Sequence, residues 1–248
     1  MAAPRLDRAL VARTALDLLN DLGLEGLTLR AIATELGVKA PALYWHFKDK
    51  RALLDEMATE MMRRMYGAAW DEELSGARDW RAMVTRLMGA LREHLLRYRD
   101  GAKVYSGSRF TDTAYAAGME AALGRLVAAG FTPGRAARAW VTAYHYTIGF
   151  VIEEQSLAAA PDRDAVDLET RAERLARYPL AARAGYELFA HQDEGFEAGL
   201  AAVVAGIGAT LLPPAPPAWV RPPATGSATT AATVQATRRP RGARPPPG

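Results

Sequence analysis

Between Thr28 and Lys50 the chain carries two short apolar-patterned stretches separated by a glycine, each too short to hold a helix alone in water. Thr28 can cap a first stretch whose inward residues are Leu29, Ile32, Ala33 and Leu36. Gly37 follows, a residue that enters left-handed backbone without steric cost and so ends helices readily. Val38 is the apolar anchor of the turn, and Pro41 falls in the first turn of the next stretch, where a missing N–H is harmless. There Leu43 and Phe47, four apart, face inward, and Tyr44 and the lysines face outward. Two such helices need a third to pack against. Leu6 to about Leu22 supplies one, with Leu10, Val11, Ala15, Leu18, Leu19 and Leu22 at helical spacing before Gly23 and Gly26 interrupt it. The three elements together read as a helix-turn-helix.

Downstream the pattern stays helical. Asp49 can cap a fourth helix, reaching about Ala69, in which Leu53, Leu54, Met57, Met61 and Met65 recur. Trp80 to Tyr98 is amphipathic, with Met83, Leu87, Leu91 and Leu95 at four-residue steps. Asp100-Gly101 marks a turn, Thr111 to Ala129 an Ala-rich helix stopped by Gly130, and Thr132-Pro133 the start of a long helix to about Gln155. Ala158 to Arg177 is polar and reads as a loop with one short helix. A last helix spans about Ala181 to Leu212, ending at Pro213-Pro214. No strand pattern or repeat occurs. The predicted fold class is all-α: a helix-turn-helix domain (1–50), a larger helical domain (51–212) and a Pro/Ala/Arg-rich tail (213–248). That tail has too few large apolar residues to offset its chain entropy, which predicts disorder.

The formal net charge of +3 includes five tail arginines and no tail acids, leaving −2 for residues 1–212. Nucleic-acid binding therefore needs a local basic patch. Arg238, Arg239, Arg241 and Arg244 are either weak phosphate attractors or part of a solvated tail. Cysteine is absent, and no apolar run reaches membrane-spanning length or forms a signal peptide, so a cytoplasmic protein without a membrane partner is expected. Catalysis has no visible basis: there is no His-x-x-His or Glu-x-x-His spacing, no phosphate-cradling glycine loop and no supported Ser-His-Asp set.

Lys39, Tyr44, Trp45, His46, Lys48 and Lys50 cluster basic and aromatic groups on the third helix and its exit, as a helix lying against nucleic acid requires. The segments Leu24-Glu-Gly-Leu-Thr-Leu-Arg30-Ala-Ile-Ala, Leu36-Gly-Val and Leu43-Tyr-Trp-His-Phe-Lys-Asp-Lys50 resemble the DNA-binding domain of the tetracycline-repressor (TetR) family. Tyr98-Arg-Asp-Gly-Ala-Lys-Val104, Gly107-Ser-Arg109, Gly130-Phe131, the run from His145 to Gln155 and Tyr186-Glu-Leu-Phe-Ala-His191-Gln are similar to the ligand domain of the tetracycline repressors proper. The resemblance covers residues 5 to about 210. It implies an all-helical homodimer whose interface uses the long helix from Pro133 and the final helix. Small residues between Gly199 and Gly208 suit such close packing, and two-fold symmetry implies a palindromic operator in double-stranded DNA.

Carried over by position, the resemblance implies that Arg30 reads a guanine, that Thr28 and Lys50 meet phosphates, and that Pro41, Tyr44, Trp45 and His46 touch thymine methyls and backbone. Lys48 joins the outward basic set. Trp45 has a second reading, packing on the first helix. Lys39, Ala40 and Ala42 stand where the repressors carry an acid, a glutamine and a threonine. Alanine cannot make the bidentate pair with adenine, so a different operator sequence is expected.

In tetracycline repressors a magnesium-chelated drug is held by a histidine at the position of Tyr105, with water links to the positions of Ser108 and Glu153. Tyr66 and Leu87 match a drug-reading histidine and asparagine, and Leu91 matches a phenylalanine. A neutral phenol is a poor magnesium ligand, so neither a metal nor any other cofactor is expected. Ser108, Arg109, His145 and Glu153 remain as polar groups of the implied pocket, His145 and Glu153 alternatively forming a buried pair in the dimer helix. His94 and His191 are assigned no role. The expected function is a repressor released from its operator by a hydrophobic, aromatic small molecule, an antibiotic or a metabolite. Its rivals are an activator or partner-controlled regulator of the same fold and, more remotely, a helical-bundle enzyme.

Overall fold

In the computed structural model, residues 6–66, 68–158 and 168–214 are described. Among them are twelve α-helices: α1 Arg8–Gly26, α2 Leu29–Glu35, α3 Ala40–Tyr44, α4 Lys50–Met65, α5 Ala68–Gly76, α6 Trp80–Leu96, α7 Gly101–Tyr105, α8 Ala116–Ala128, α9 Pro133–Ala158, α10 Leu168–Arg174, α11 Pro179–Phe189 and α12 Gln192–Thr210. The described residues contain no strand, and the fold is all-α with an N-terminal helix-turn-helix. The tail beyond Pro214 lies outside the described residues.

Side-chain caps begin several of these helices, four of them closely bonded. Asp7, Thr28, Asp49 and Asp79 accept from the backbone amides of Leu10, Ala31, Ala52 and Ala82 at 2.7, 3.1, 2.7 and 2.9 Å. Each such cap contributes about 1 kcal/mol. Gly37 takes φ +64°, and Val38 N–H donates back to Ala33 C=O at 2.9 Å, closing α2 as its sequence predicts. Seven- and five-residue helices are held by tertiary burial. Leu16, Leu19, Leu27, Ile32, Leu43, Phe47 and Leu53 are fully or almost fully buried in one core shared by α1 to α4.

Several boundaries differ from the sequence reading. Gly23 (φ +67°) interrupts α1 where expected, but Leu22 beside it is 40% exposed, and Ala12 and Leu16 complete the buried stripe. The expected Thr111 start is late by five residues, because Thr111 N–H and Asp112 are committed to bonds with Thr59 and Arg63. The single final helix is two, α11 and α12, separated at Ala190 and His191. α5 and α7 carried too short a pattern to be seen. Of the predicted polar segment 158–177, α10 is the short helix, and residues 159–167 lie outside the described residues.

One compact unit runs to Pro213. Within it α4 packs against α1 on one side and α7 on the other, while α6 packs against α9 and α12. Gln155, 8% exposed, fastens α9 to the α6–α7 corner: its Oε1 accepts from Ala102 N–H, and its Nε2 donates to Leu95 and Tyr98 carbonyls, at 2.8–3.0 Å. Arg92 does the same for α6, α9 and α12 through Glu154 and Asp193, with Phe196 under its guanidinium. Asp100, in left-handed backbone, accepts from Leu24 N–H at 3.0 Å and ties the end of α1 to α7.

Candidate functional site

The N-terminal helices present a surface of unengaged side chains. Tyr44 is 59% and Trp45 90% exposed, so Trp45 does not pack on α1. Thr28, Arg30, Tyr44 and Lys50 come together around one groove between α2, α3 and the start of α4. Lys39, Pro41 and Lys48 are exposed nearby, while Ala40, Ala42 and His46 are half-buried. Two of these groups have internal partners: Thr28 Oγ1 caps α2, and Lys50 Nζ donates to Leu24 C=O at 2.8 Å. A phosphate that recruits Lys50 must compete with that carbonyl.

A second site is buried. A cavity of about 160 Å³ opens between α4, α6, α8 and α9. Tyr66, at the end of α4, and Tyr105, at the end of α7, line it together with Leu91. Sequence reasoning missed the remaining wall: the rings of Trp70, Phe110, Tyr115, Trp140 and Tyr144, and the thioethers of Met65, Met88 and Met119. Tyr66 and Trp70 contact at 4.5 Å between ring centroids, and Trp70 meets Trp140 at 6.1 Å. The close approach depends on Gly118, where a Cβ would fall 2.5 Å from a Tyr66 ring carbon. Their four-residue spacing was a visible signal for Tyr66 and Trp70; nothing local pointed to Trp140 or Tyr144.

The other proposed ligand residues do not reach this cavity within one chain. Leu87 is fully buried behind it. Ser108 Oγ donates to Val104 C=O at 2.6 Å, and Arg109 is exposed, its backbone amide bound to Asp55 at 3.0 Å. His145 and Glu153 are exposed on the outer stripe of α9, so they are not a buried pair in the single chain.

No charged residue lines the cavity. Burial pushes the Tyr66 phenol up to about 12, with neighbouring Tyr144 and Tyr115 adding to the shift. The same desolvation, reinforced by Tyr66 and Tyr144, pushes Tyr105 well up. Tyr105 is therefore a neutral phenol without a carboxylate beside it, a donor set that does not fit magnesium. Among the described residues no cluster of three or more His, Asp or Glu side chains is spaced to hold a metal ion.

A part-buried polar network centred on Glu56 runs between the two sites. Arg8 on α1 donates to the His46 carbonyl at the end of α3, stacks over Phe47 at 4.5 Å and pairs with Glu56 on α4 at 3.0 Å. Glu56, 4% exposed, also accepts from Thr111 Oγ1 at 3.1 Å and pairs with Arg63 at 3.3 Å. Arg63 reaches Asp112, whose carboxyl is held below its usual range by the Ala114 amide and by Arg63. Thr111 and Asp112 directly follow Phe110, a cavity wall residue in ring contact with both Tyr105 and Tyr115.

Comparison with known proteins covers both parts of the chain. The family model described as "Tetracyclin repressor-like, C-terminal domain" matches residues 74–211, and that described as "Bacterial regulatory proteins, tetR family" matches residues 12–57. The chain is 41% identical over 207 residues to the class C tetracycline repressor of Escherichia coli, covering 82% of this chain and 91% of that protein. It is similar to a crystal structure of a possible TetR family transcriptional regulator from Streptomyces coelicolor A3(2), at 35% identity and a TM-score of 0.69 over 82% of this chain and 99% of that one. It is also similar to the class A repressor in complex with 5a,6-anhydrotetracycline and magnesium, at 34% identity and a TM-score of 0.58, again over 82% and 99%. A helix-turn-helix with an outward aromatic and basic face, followed by a helical body with an aromatic-lined cavity, thus occurs here in a chain that belongs to the TetR family of ligand-responsive, DNA-binding transcriptional repressors, a family of regulators and not of enzymes.

Proposed function

We propose that this chain represses transcription as a homodimer on a palindromic operator and is released by a hydrophobic, aromatic effector without magnesium. The observation that carries this reading is the placement of α4: it begins at Lys50 beside the recognition surface and ends at Tyr66 in the cavity wall. A molecule entering the cavity displaces the end of the element whose start positions α3. Release then requires that the effector bind the non-binding arrangement more tightly than the DNA-bound one.

The polar network supplies a second path on the same route. An effector that moves Phe110 moves Thr111 and Asp112, and with them the partners of Glu56 and Arg63. Glu56 shares Arg8 with the last turn of α3, so a change at Glu56 is felt at His46.

The dimer reading rests on exposed small residues. Ala198, Ala201, Ala202, Ala205, Gly206 and Ala209 form one face of α12, and Val141, Thr142, His145, Gly149 and Glu153 one face of α9. Small side chains allow close helix approach, and pairing two copies of each helix gives a four-helix interface. His145 and Glu153 would then act at the interface or from the partner side of a cavity. Arg30 and Lys39 are the proposed base and phosphate readers, and Ala40 and Ala42 the positions that set this operator apart from those of the tetracycline repressors. The helix-turn-helix and the ligand domain, divided near residue 50, would be the two working parts.

Selection of operator fragments from random DNA by the full-length chain, followed by light scattering and a release screen, tests the proposal. A palindrome bound by two chains and freed by an aromatic compound without magnesium is the expected result. A monomer on an asymmetric site, or release only by magnesium–tetracycline, overturns it. Deletion of the gene should raise expression of the operator-linked target.

A further inference from the structure

The hydroxyls of Tyr66, Tyr105 and Tyr144 and Trp70 Nε1–H are hydrogen-bond donors of the cavity wall without a protein partner among the described residues, and the Trp70 N–H is fully buried. Trp70 is 2% exposed, and an indole N–H can only donate. A buried donor left unmade is costly, whereas a phenol oxygen tolerates an unused lone pair far better. The three phenols are close enough to disfavour one another's charged forms, and burial keeps all three protonated, as donors. The rest of the wall is ring faces, thioethers and the aliphatic side chains of Leu91 and Val141, with the Tyr115 phenol beside them.

That wall excludes most ligand chemistries. An anion would be buried without Lys, Arg or His in contact. A cation is attracted to ring faces, but it offers no acceptor to the indole N–H or the phenols. A hydrocarbon fills the space and leaves all four donors unmade.

We propose that Tyr66, Trp70, Tyr105 and Tyr144 are the polar readers of the effector, and that the effector is a flat, uncharged aromatic carbonyl compound whose oxygens accept from them. This rests on the cavity being the effector site. It names the class of group that the effector carries, a ketone, quinone or lactone, and assigns Trp70 and Tyr144 a specificity role. The methionines at 65, 88 and 119 provide an adjustable remainder, since thioether chains repack around different ring outlines. Tyr66 links recognition to release, because it is both a reader and the cap of α4.

Equilibrium dialysis of the full-length chain with 9-fluorenone, fluorene and 9-aminofluorene, which share one ring skeleton, tests this. The ketone should bind about tenfold more tightly than the hydrocarbon, as one good hydrogen bond to a desolvated donor would give. Tyr105→Phe and Tyr144→Phe, which remove only a hydroxyl, should each reduce that ratio through weaker ketone binding; Trp70→Phe should reduce the ratio too, while any loss shared by fluorene reports the missing ring surface. Equal binding of ketone and hydrocarbon overturns the inference and leaves the cavity as an apolar effector site. Preference for the amine, or a ketone preference that no variant alters, also overturns it. If none of the three binds while magnesium–tetracycline does, the reading of the cavity itself fails with it.

Discussion

The recognition surface and the cavity use the same side chains in opposite surroundings. Tyr44 and Trp45 project into solvent from a five-residue helix and its end, while Tyr66 and Trp70 pack against each other at a tilt of 43° in the cavity wall. In both places the polar ends are left without a protein partner. Outside, water satisfies them until DNA arrives, so the cost of waiting is small. Inside, an unmade bond remains a standing penalty, so the cavity retains a chemical bias toward whatever removes it. The difference teaches that the DNA side is built for exchange and salt-sensitive contact, and the cavity side for selective, desolvated recognition.

The largest expected effect is a pH dependence of the stability of the fold on which both regions rest. His94, buried on α6, has its pKa lowered to about 4 by desolvation, and its Nε2 has no partner. The unfolded chain takes up the proton first, near the ordinary value of about 6.5. Stability present at pH 7 is therefore lost as pH falls from about 6.5 toward 4, by up to roughly 3 kcal/mol. Urea unfolding at stepped pH should show this slope in the wild type and not in His94→Leu; a slope unchanged in the variant would place the loss elsewhere.

Next in size, Tyr44→Ala should weaken operator binding at least about a hundredfold, with the melting temperature and effector binding unchanged. Measured by fluorescence anisotropy, an operator affinity close to wild type would remove Tyr44 from the recognition surface. Gly118→Ala sharpens the opposite side. Its Cβ would press on Tyr66 and Trp70, so effector affinity should fall by roughly tenfold or more while operator binding persists. Calorimetry showing unchanged affinity would mean the rings shift freely.

The smallest effect tests the link between them. Thr111→Val removes the hydroxyl that bonds Glu56 and Thr59. Effector and operator should each still bind alone, but the effector's power to release the operator should drop by several-fold, as linkage requires when coupling is lost. If release is unchanged, coupling runs through α4 without the polar network.

Much of this architecture was legible in the chain. Asp49 and Thr28 announced helix starts because a cap is a three-residue event, and Gly37 announced an end for the same local reason. Tyr66, Leu91 and Tyr105 were identified through resemblance and do line the cavity. The long α12 stretch was misread because no proline falls between Ala181 and Leu212 and its glycines lie within the helices, whereas the chain turns at Ala190 and His191, where no glycine or proline marks it. Leu87, Ser108, Arg109, His145 and Glu153 illustrate another limit: a residue's register on its helix decides which space it faces, and a position match cannot see that space.

What the sequence by itself determined is the helix-turn-helix, its outward aromatic and basic face, and an all-helical body, because capping, glycine turns and 3.6-residue periodicity are set by neighbours along the chain. Tertiary structure alone decided the rest. Trp70, Phe110, and the pair Trp140 and Tyr144 come from three separate segments and converge only once α4 to α9 pack. Arg8 meets Glu56 and His46 across 48 and 38 positions of chain. Such encounters depend on which faces bury which, a global balance of packing and desolvation that no local pattern encodes.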